Sequence, residues 1–291
     1  MAPRPVWTDE ADMVAALRPL LGDAPAGLDF YRSGWDSVAI AAGERMFKFP
    51  RHAEALAALR REIAILEQVA PVSPLRVPSM ILHDGARPFS EHVLIPGDHL
   101  LKAGYERLDP PRRDALADAL AGFHAAIHRL DPARMRAIGA GPVEAWLPPE
   151  AVERFALPAL PAAWRGPAAA IVAAYADLPP DPAGEVYGHF DAHGWNMAFD
   201  SPAGRLNGLY DFADSGIGPL HREFICSSFV SRDLTERIIG RYERHATRSI
   251  DRGRVGCLTG YHRLWELAVA VRDGGPADDM RASALDWLAG L

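Results

Sequence analysis

Three polar residues stand at fixed spacing in one short stretch, His189-Phe-Asp191-Ala-His-Gly-Trp-Asn196. A further acid, Asp211, follows inside Leu209-Tyr-Asp-Phe-Ala213. Between them Met197-Ala-Phe199 and Gly208-Leu-Tyr210 read as strands, with a turn at Ser201-Pro-Ala-Gly204. A hairpin of that kind brings Asn196 and Asp211 to the same end, close enough to share a metal. One carboxylate to orient a hydroxyl and an Asn/Asp pair to hold magnesium is the set that phosphoryl transfer requires.

The N-terminal part of the chain is read for whatever could complete such a site. Residues 8–21 carry Met13, Leu17, Leu20 and Leu21 at helical spacing, with Thr8 as N-cap. Leu28–Tyr31, Val38–Ala42 and Arg45–Phe49 read as strands, and Pro50 stops the third. The turn between the first two offers Ser33, Gly34 and Ser37, whose small side chains let backbone N–H groups close over phosphates. With one glycine, an ordinary hairpin turn is the competing reading. Lys48 points away from Phe47 and Phe49, because side chains alternate along a strand. Residues 53–69 form an amphipathic helix with Leu56, Leu59, Ile63, Leu66 and Val69 on one stripe and Glu62 beside it. Glu54 and Glu67 rival Glu62 as the carboxylate that meets Lys48. Ser79–His83 and Glu91–Ile95 complete five strands, and Pro96-Gly97 ends the last of them. Val93–Gly97 then reads as the hinge to a second lobe, the kind of segment from which a kinase offers backbone groups to the purine, with Val93 and Ile95 as the candidates.

The rest of the chain is helical in pattern. Residues 112–130 repeat apolar residues at three and four, and they place His124 and His128 at i, i+4. That spacing can bind zinc, but the glutamate of His-Glu-x-x-His is missing, and packing or surface roles are favoured. Short helices fall near 150–157 and 167–177. Asp233-Leu-Thr-Glu236 reads as a capping box for a helix to about His245, and further helices span about 254–272 and 279–289. The length of 291 residues suits two lobes. A net charge of −7 argues against nucleic acid as the main partner. Two cysteines, Cys226 and Cys257, read as buried reduced thiols. The first ten residues lack the apolar run of a signal peptide, and no stretch approaches the roughly 18 apolar residues of a membrane span. A cytoplasmic monomer or weak dimer is therefore expected.

Phe47-Lys48-Phe49-Pro50-Arg51, Glu62, His189-x-Asp191-x-x-x-x-Asn196 and Tyr210-Asp211-Phe212, followed by Ala-Asp-Ser-Gly-Ile-Gly-Pro219, together resemble the aminoglycoside phosphotransferase family of kinase-like small-molecule kinases. Phe-Lys-Phe-Pro-Arg is most similar to its 2''-phosphotransferase branch, some of which use GTP. The resemblance implies an α+β, protein-kinase-like two-lobe fold. Residues 1–95 would form a nucleotide-binding lobe with a five-stranded antiparallel sheet and one helix, and residues 96–291 a larger helical lobe. It implies that the γ-phosphate of ATP or GTP moves to a hydroxyl of a small molecule, first of all an aminoglycoside. A macrolide, choline, homoserine or a sugar are alternative acceptors. By the same resemblance Asp191 is the catalytic carboxylate, His189 orients its loop, Lys48 braced by Glu62 meets the phosphates, and Asn196 and Asp211 hold Mg2+. Glu223, Glu236 and Glu266 are candidate contacts to a substrate ammonium. Phe190 stands where the family has glycine, and so does Ala213. A metal-dependent hydrolase using His189, Asp191 and His193 is the remaining alternative reading.

Overall fold

The computed structural model describes residues 6–22, 27–32 and 36–290. Helix α1 (Glu10–Leu21) begins one residue after Asp9, whose carboxylate accepts from the Ala11 N–H at 2.8 Å, so Asp9 and not Thr8 is the cap. Strands β1 (Leu28–Tyr31), β2 (Ser37–Ala42) and β3 (Arg45–Pro50) follow, then helix α2 (Ala53–Val69) and strands β4 (Ile81–His83) and β5 (Phe89–Val93). They form an antiparallel sheet in the order β1-β2-β3-β5-β4. β4 starts two residues later than the sequence pattern puts it and ends where expected, whereas β5 lies two residues earlier than expected. Pairing sets their limits: Phe89 is opposite His83, and Val93 is opposite Arg45.

Period-2 alternation on β3 buries Phe47 and Phe49 fully and leaves Lys48 on the other face. The two phenylalanines join Trp7, Met13, Leu17, Val38, Ile40 and Phe89 in one apolar cluster under α1. Trp7 fixes the cluster's edge, donating its indole N–H to the Pro88 carbonyl at 2.8 Å. The C-terminal end of α2 (Ile65, Leu66, Val69) packs into a second, larger core.

After the hinge come α3 (Lys102–Glu106), α4 (Pro110–Ile127), α5 (Pro132–Ala137), α6 (Pro149–Ala159) and α7 (Ala162–Ala176). Two small sheets follow: β6 (Glu185–Gly188) pairs with β9 (Gly216–Pro219), and β7 (Met197–Asp200) pairs with β8 (Arg205–Leu209). Helices α8 (Arg232–Ala246), α9 (Arg252–Asp273) and α10 (Ala277–Ala289) close the chain. The cap of α8 is Ser231, whose hydroxyl accepts from the Asp233 N–H, rather than Asp233 itself. Cys226 is buried, whereas Cys257 is only half-buried. Among the described residues no helix is long and apolar enough to cross a membrane.

Helix α8 ends on Thr247, which is exposed and left-handed at φ 53°. A β-branched residue is poorly suited to that conformation, whereas glycine adopts it freely. Thr247→Gly is expected to raise stability by on the order of 1 kcal/mol. Chemical denaturation measures this, and a lower stability in the variant contradicts it.

Candidate active site

The loop from β6 to β7 carries the first three polar residues. β9 clamps its start, because Gly188 pairs with Gly216. His189 is fully buried, and both of its ring nitrogens are spent inside the fold. Nε2 lies 2.9 Å from the Tyr210 carbonyl, and Nδ1 accepts from the Asp191 N–H at 3.2 Å. Burial pushes its pKa down, so the ring is neutral with its proton on Nε2. Those bonds orient the loop and leave no nitrogen for a metal, which removes the hydrolase arrangement of His189, Asp191 and His193.

Asp191 accepts from the Asn196 side-chain amide at 2.8 Å, and the same amide reaches the Asp191 carbonyl at 2.9 Å. Burial raises the Asp191 carboxyl to about 7, with Asp214 and Asp211 adding to the effect and Asn196 opposing it. The β7–β8 hairpin brings Asn196 and Asp211 together: Met197 is opposite Leu209, and the Tyr210 N–H donates to the Asn196 carbonyl at 2.8 Å. His193 Nε2 lies 3.4 Å from Asp191 Oδ1.

Phe190 and Asp211 are both left-handed, each at φ 59°. Non-glycine residues there cost of order 1–3 kcal/mol, so surrounding bonds must hold them. For Phe190 these are visible. Its N–H donates to Glu223 Oε1 at 3.1 Å, and its carbonyl accepts from the Cys226 thiol at 3.1 Å.

Glu223 is fully buried and is therefore no surface contact for a substrate. Besides the Phe190 N–H it meets His128 Nε2 at 3.2 Å and His124 Nδ1 at 3.1 Å. His128 turns its other nitrogen to the Tyr242 hydroxyl at 2.9 Å. Among the described residues these three are the one group of His, Cys, Asp or Glu whose ligand atoms all lie within 4.8 Å. His128 hydrogen-bonds the carboxylate, whereas His124 Nδ1 lies close to it without a hydrogen bond of good geometry, and this contact accounts for the buried histidines at i, i+4. Burial disfavours the Glu223 anion, but the two imidazoles outweigh it and hold the carboxyl far below its usual range. Glycine at 188 is what admits this carboxylate, because a Cβ there would collide with Glu223 Oε2.

From the sheet, Lys48 Nζ comes within 3.4 Å of Glu62 Oε2. Glu62 is buried, and its Oε1 has no hydrogen-bond partner. Burial would lower the Lys48 pKa, yet Glu62 and then Asp211 outweigh it, and the ammonium is held above its ordinary value. Asp211 thus acts electrostatically on both Lys48 and Asp191, and the two halves of the sequence pattern meet. Glu54 bonds His52 instead, at 3.1 Å. Ser37 opens β2 opposite Pro50 and is half-buried, while Ser33 and Gly34 lie outside the described residues. The hinge differs from expectation. The Ile95 N–H donates to the Tyr210 hydroxyl and the Ile95 carbonyl accepts from it, each at 2.6 Å, so the N–H is committed while the carbonyl keeps its second lone pair. Val93 projects an exposed side chain from the end of β5.

Beside Asp191 lies a cavity of about 510 Å³. Asp191, Asp214, Glu144 and Glu266 line it, with Arg222 as its one arginine. Phe190, Trp195, Phe229 and Trp265 form aromatic walls. Of the three glutamates expected at the acceptor, only Glu266 is here. Glu236 stands on α8 in a different cavity and pairs with Arg252 at 3.2 Å. Glu144 and the aromatic walls come from scattered segments and carry no local motif. Asp214, three residues beyond Asp211, was open to recognition as a second acid of the same run.

Fold and site together define a kinase-like small-molecule phosphotransferase. The chain belongs to the phosphotransferase enzyme family (APH), whose model matches residues 26–258. Solved structures agree in fold. The GDP complex of wild-type aminoglycoside 2'-phosphotransferase-IIIa superposes with a TM-score of 0.77 at 18% identity, covering 97% of this chain and 98% of that one. A macrolide 2'-phosphotransferase type I gives 0.67 at 16% identity, covering 98% of each. The macrolide 2'-phosphotransferase MphH from Brachybacterium faecium gives 0.62 at 16% identity, covering 97% of this chain and 98% of that one. A search of the curated proteins gave no match.

Proposed function

We propose that the enzyme moves the γ-phosphate of ATP or GTP to a hydroxyl of an amine-bearing small molecule, with an aminoglycoside as the first candidate. One observation carries this reading: the Lys48–Glu62 pair, Asp211 and the Asn196–Asp191 pair converge beside an acid-lined cavity. Residues 1–95 act as the nucleotide lobe, and the remainder carries the loop and the acceptor cavity. Asp191 orients the acceptor hydroxyl and receives its proton as the O–P bond forms. Its raised pKa suits the carboxylate to take that proton near neutral pH. The transition state is loose, so positioning and charge neutralisation count for more than base strength.

Asn196 and Asp211 would hold Mg2+. The residues fit the ion. With its amide nitrogen committed to Asp191, Asn196 keeps its oxygen for a ligand, and Asp211 and Asp214 stand near enough to Asp191 to raise its carboxyl, a crowding of acids that a cation would relieve. Two protein ligands are enough for an ion that also binds phosphates. When bound, it would supply neutralisation of phosphate charge. Lys48 neutralises phosphate charge from the sheet side, and Glu62 fixes its position.

The acceptor reading rests on charge. Four carboxyl groups against one arginine suit a polyamine, because a bound ammonium favours the ionised form of the buried Asp191 and Glu266. The four aromatic walls favour a second acceptor class with a large apolar body, as in macrolides. A coupled ADP/GDP-release screen over aminoglycosides, macrolides and small amino alcohols decides between them. If the pure protein with magnesium binds neither ATP nor GTP, the reading fails. Lys48→Met is expected to lower kcat/KM by on the order of 10²-fold, and Glu62→Gln by less. Equal activity in Lys48→Met and wild type would remove Lys48 from the site.

A further inference from the structure

Among the described residues a single tryptophan is exposed, Trp195, at 58%. An isolated exposed apolar side chain is ordinary on a protein surface. Trp195 differs in where it stands and in how it is held. It lies four residues after Asp191 and one before Asn196, and it lines the same cavity as Asp191. Leu101 lines that cavity as well and is 43% exposed, so two large apolar side chains face water at one mouth.

The turn that carries the indole is locked. The Leu100 N–H donates to the Gly194 carbonyl at 3.0 Å, and the two segments run so close that a Cβ at 194 would collide with the Leu100 carbonyl. The Trp195 N–H donates to His193 Nδ1 at 3.2 Å, and the Asn196 N–H donates to the His193 carbonyl at 3.0 Å. The His99 ring lies 4.9 Å from the indole, centroid to centroid. An aromatic ring held in this way offers contact area at little cost in ordering it.

We propose that Trp195 is the platform on which a saturated ring of the acceptor stacks, so that the acceptor is a glycoside and not a short acyclic amino alcohol. The inference rests on the reading of this cavity as the acceptor site and names the class of molecule it takes. The face of an indole carries partial negative charge and meets the polarised C–H groups on one side of a sugar ring. Covering Trp195 and Leu101 also removes apolar surface from water. A bare ammonium gains less on the indole, because a cation–π contact at an exposed site is weak. The carboxyl groups of Asp191 and Glu266, both better covered than Trp195, offer it opposite charge instead. The turn that holds the indole also holds Asn196, whose amide bonds Asp191 Oδ2 at 2.8 Å. A ring seated on Trp195 is therefore held relative to the carboxylate that orients the hydroxyl, and stacking serves orientation as well as affinity.

The first arm of the test needs no turnover. Kanamycin, erythromycin and choline are each titrated into the full chain, with and without nucleotide, and tryptophan emission is followed. At least one of the two glycosides should give a saturable blue shift, because the exposed indole is covered, and choline should give none. Calorimetry supplies the affinities of the variants. Trp195→Phe should lose most of the shift yet keep the affinity within about threefold, whereas Trp195→Leu should weaken it at least about tenfold. Both variants should unfold within about 2 °C of wild type, since the side chain is exposed. In the second arm, Trp195→Leu should raise the KM of a phosphorylated glycoside at least about tenfold and leave the nucleotide dissociation constant within about twofold of wild type. No saturable shift with either glycoside, a shift that survives in Trp195→Phe, or an unchanged affinity in Trp195→Leu overturns the proposal. So does a loss in Trp195→Leu that is as large for choline or for nucleotide, because the indole would then hold a cation or merely support the Asn196 turn. A chain that binds a glycoside through Trp195 but binds neither ATP nor GTP keeps the platform and removes the kinase reading, so the two fail separately.

Discussion

Asp191→Asn should lower kcat by about 10²–10⁴-fold while leaving the nucleotide dissociation constant within about twofold of wild type. The substitution keeps the shape of the side chain and removes the carboxylate oxygen proposed to take the proton. The Asn196 amide now bonds Asp191 Oδ2 at 2.8 Å, and the oxygen of the introduced amide can keep that bond, so the loop should stay in place. The loss then falls on the chemical step and not on binding, which separates this variant from Lys48→Met. Single-turnover rates measured with an acceptor from the nucleotide-release screen check it. A rate close to wild type would show that Asp191 neither orients the hydroxyl nor receives its proton.

Glu223→Ala should cost about 3–5 kcal/mol of stability and lower the thermal midpoint by on the order of 10 °C. The carboxylate is the shared partner of His124, His128 and the Phe190 N–H. Its removal leaves buried donors without an acceptor, and it releases the backbone bond that steadies a left-handed phenylalanine. The pH dependence has a definite sign. The folded-state pKa of Glu223 is depressed, so its stabilisation is fully present above the ordinary glutamate pKa of about 4.3 and is lost as pH falls toward the folded value. The midpoint gap between wild type and Glu223→Ala should therefore be largest near neutrality and narrow below about pH 4. Calorimetry across that range decides it, and a gap constant with pH would mean that the carboxylate acts through shape and not through charge.

What the sequence made legible was local. Helix α2 falls where its apolar stripe ends, and Lys48 turns away from Phe47 and Phe49 because alternation demands it. The β7–β8 hairpin brings Asn196 to Asp211 as the turn at 201–204 implies. What could not be read depends on distant partners. Glu223 looks like a solvated acid until α4, 95 residues earlier in the chain, brings His128 against it. Strands β6 and β9 are short, and β9 reads as a glycine-rich turn; only their pairing makes them strands. Ser231 displaced Asp233 as the cap of α8 because both residue types suit that role and the pattern alone does not choose between nearby candidates. At the hinge, nothing near Ile95 in sequence announced a phenol from residue 210.

That phenol makes Tyr210 a rigid strut with three attachments. Its hydroxyl grips the hinge at Ile95, its N–H is tied to Asn196, and its carbonyl is tied to His189. The next residue is Asp211. Any swing of the sheet about the hinge must either break the two hydroxyl bonds or drag along the backbone on which Asp211 sits. The position of the segment around Ile95 and the placement of that acid are in this way tied through one side chain.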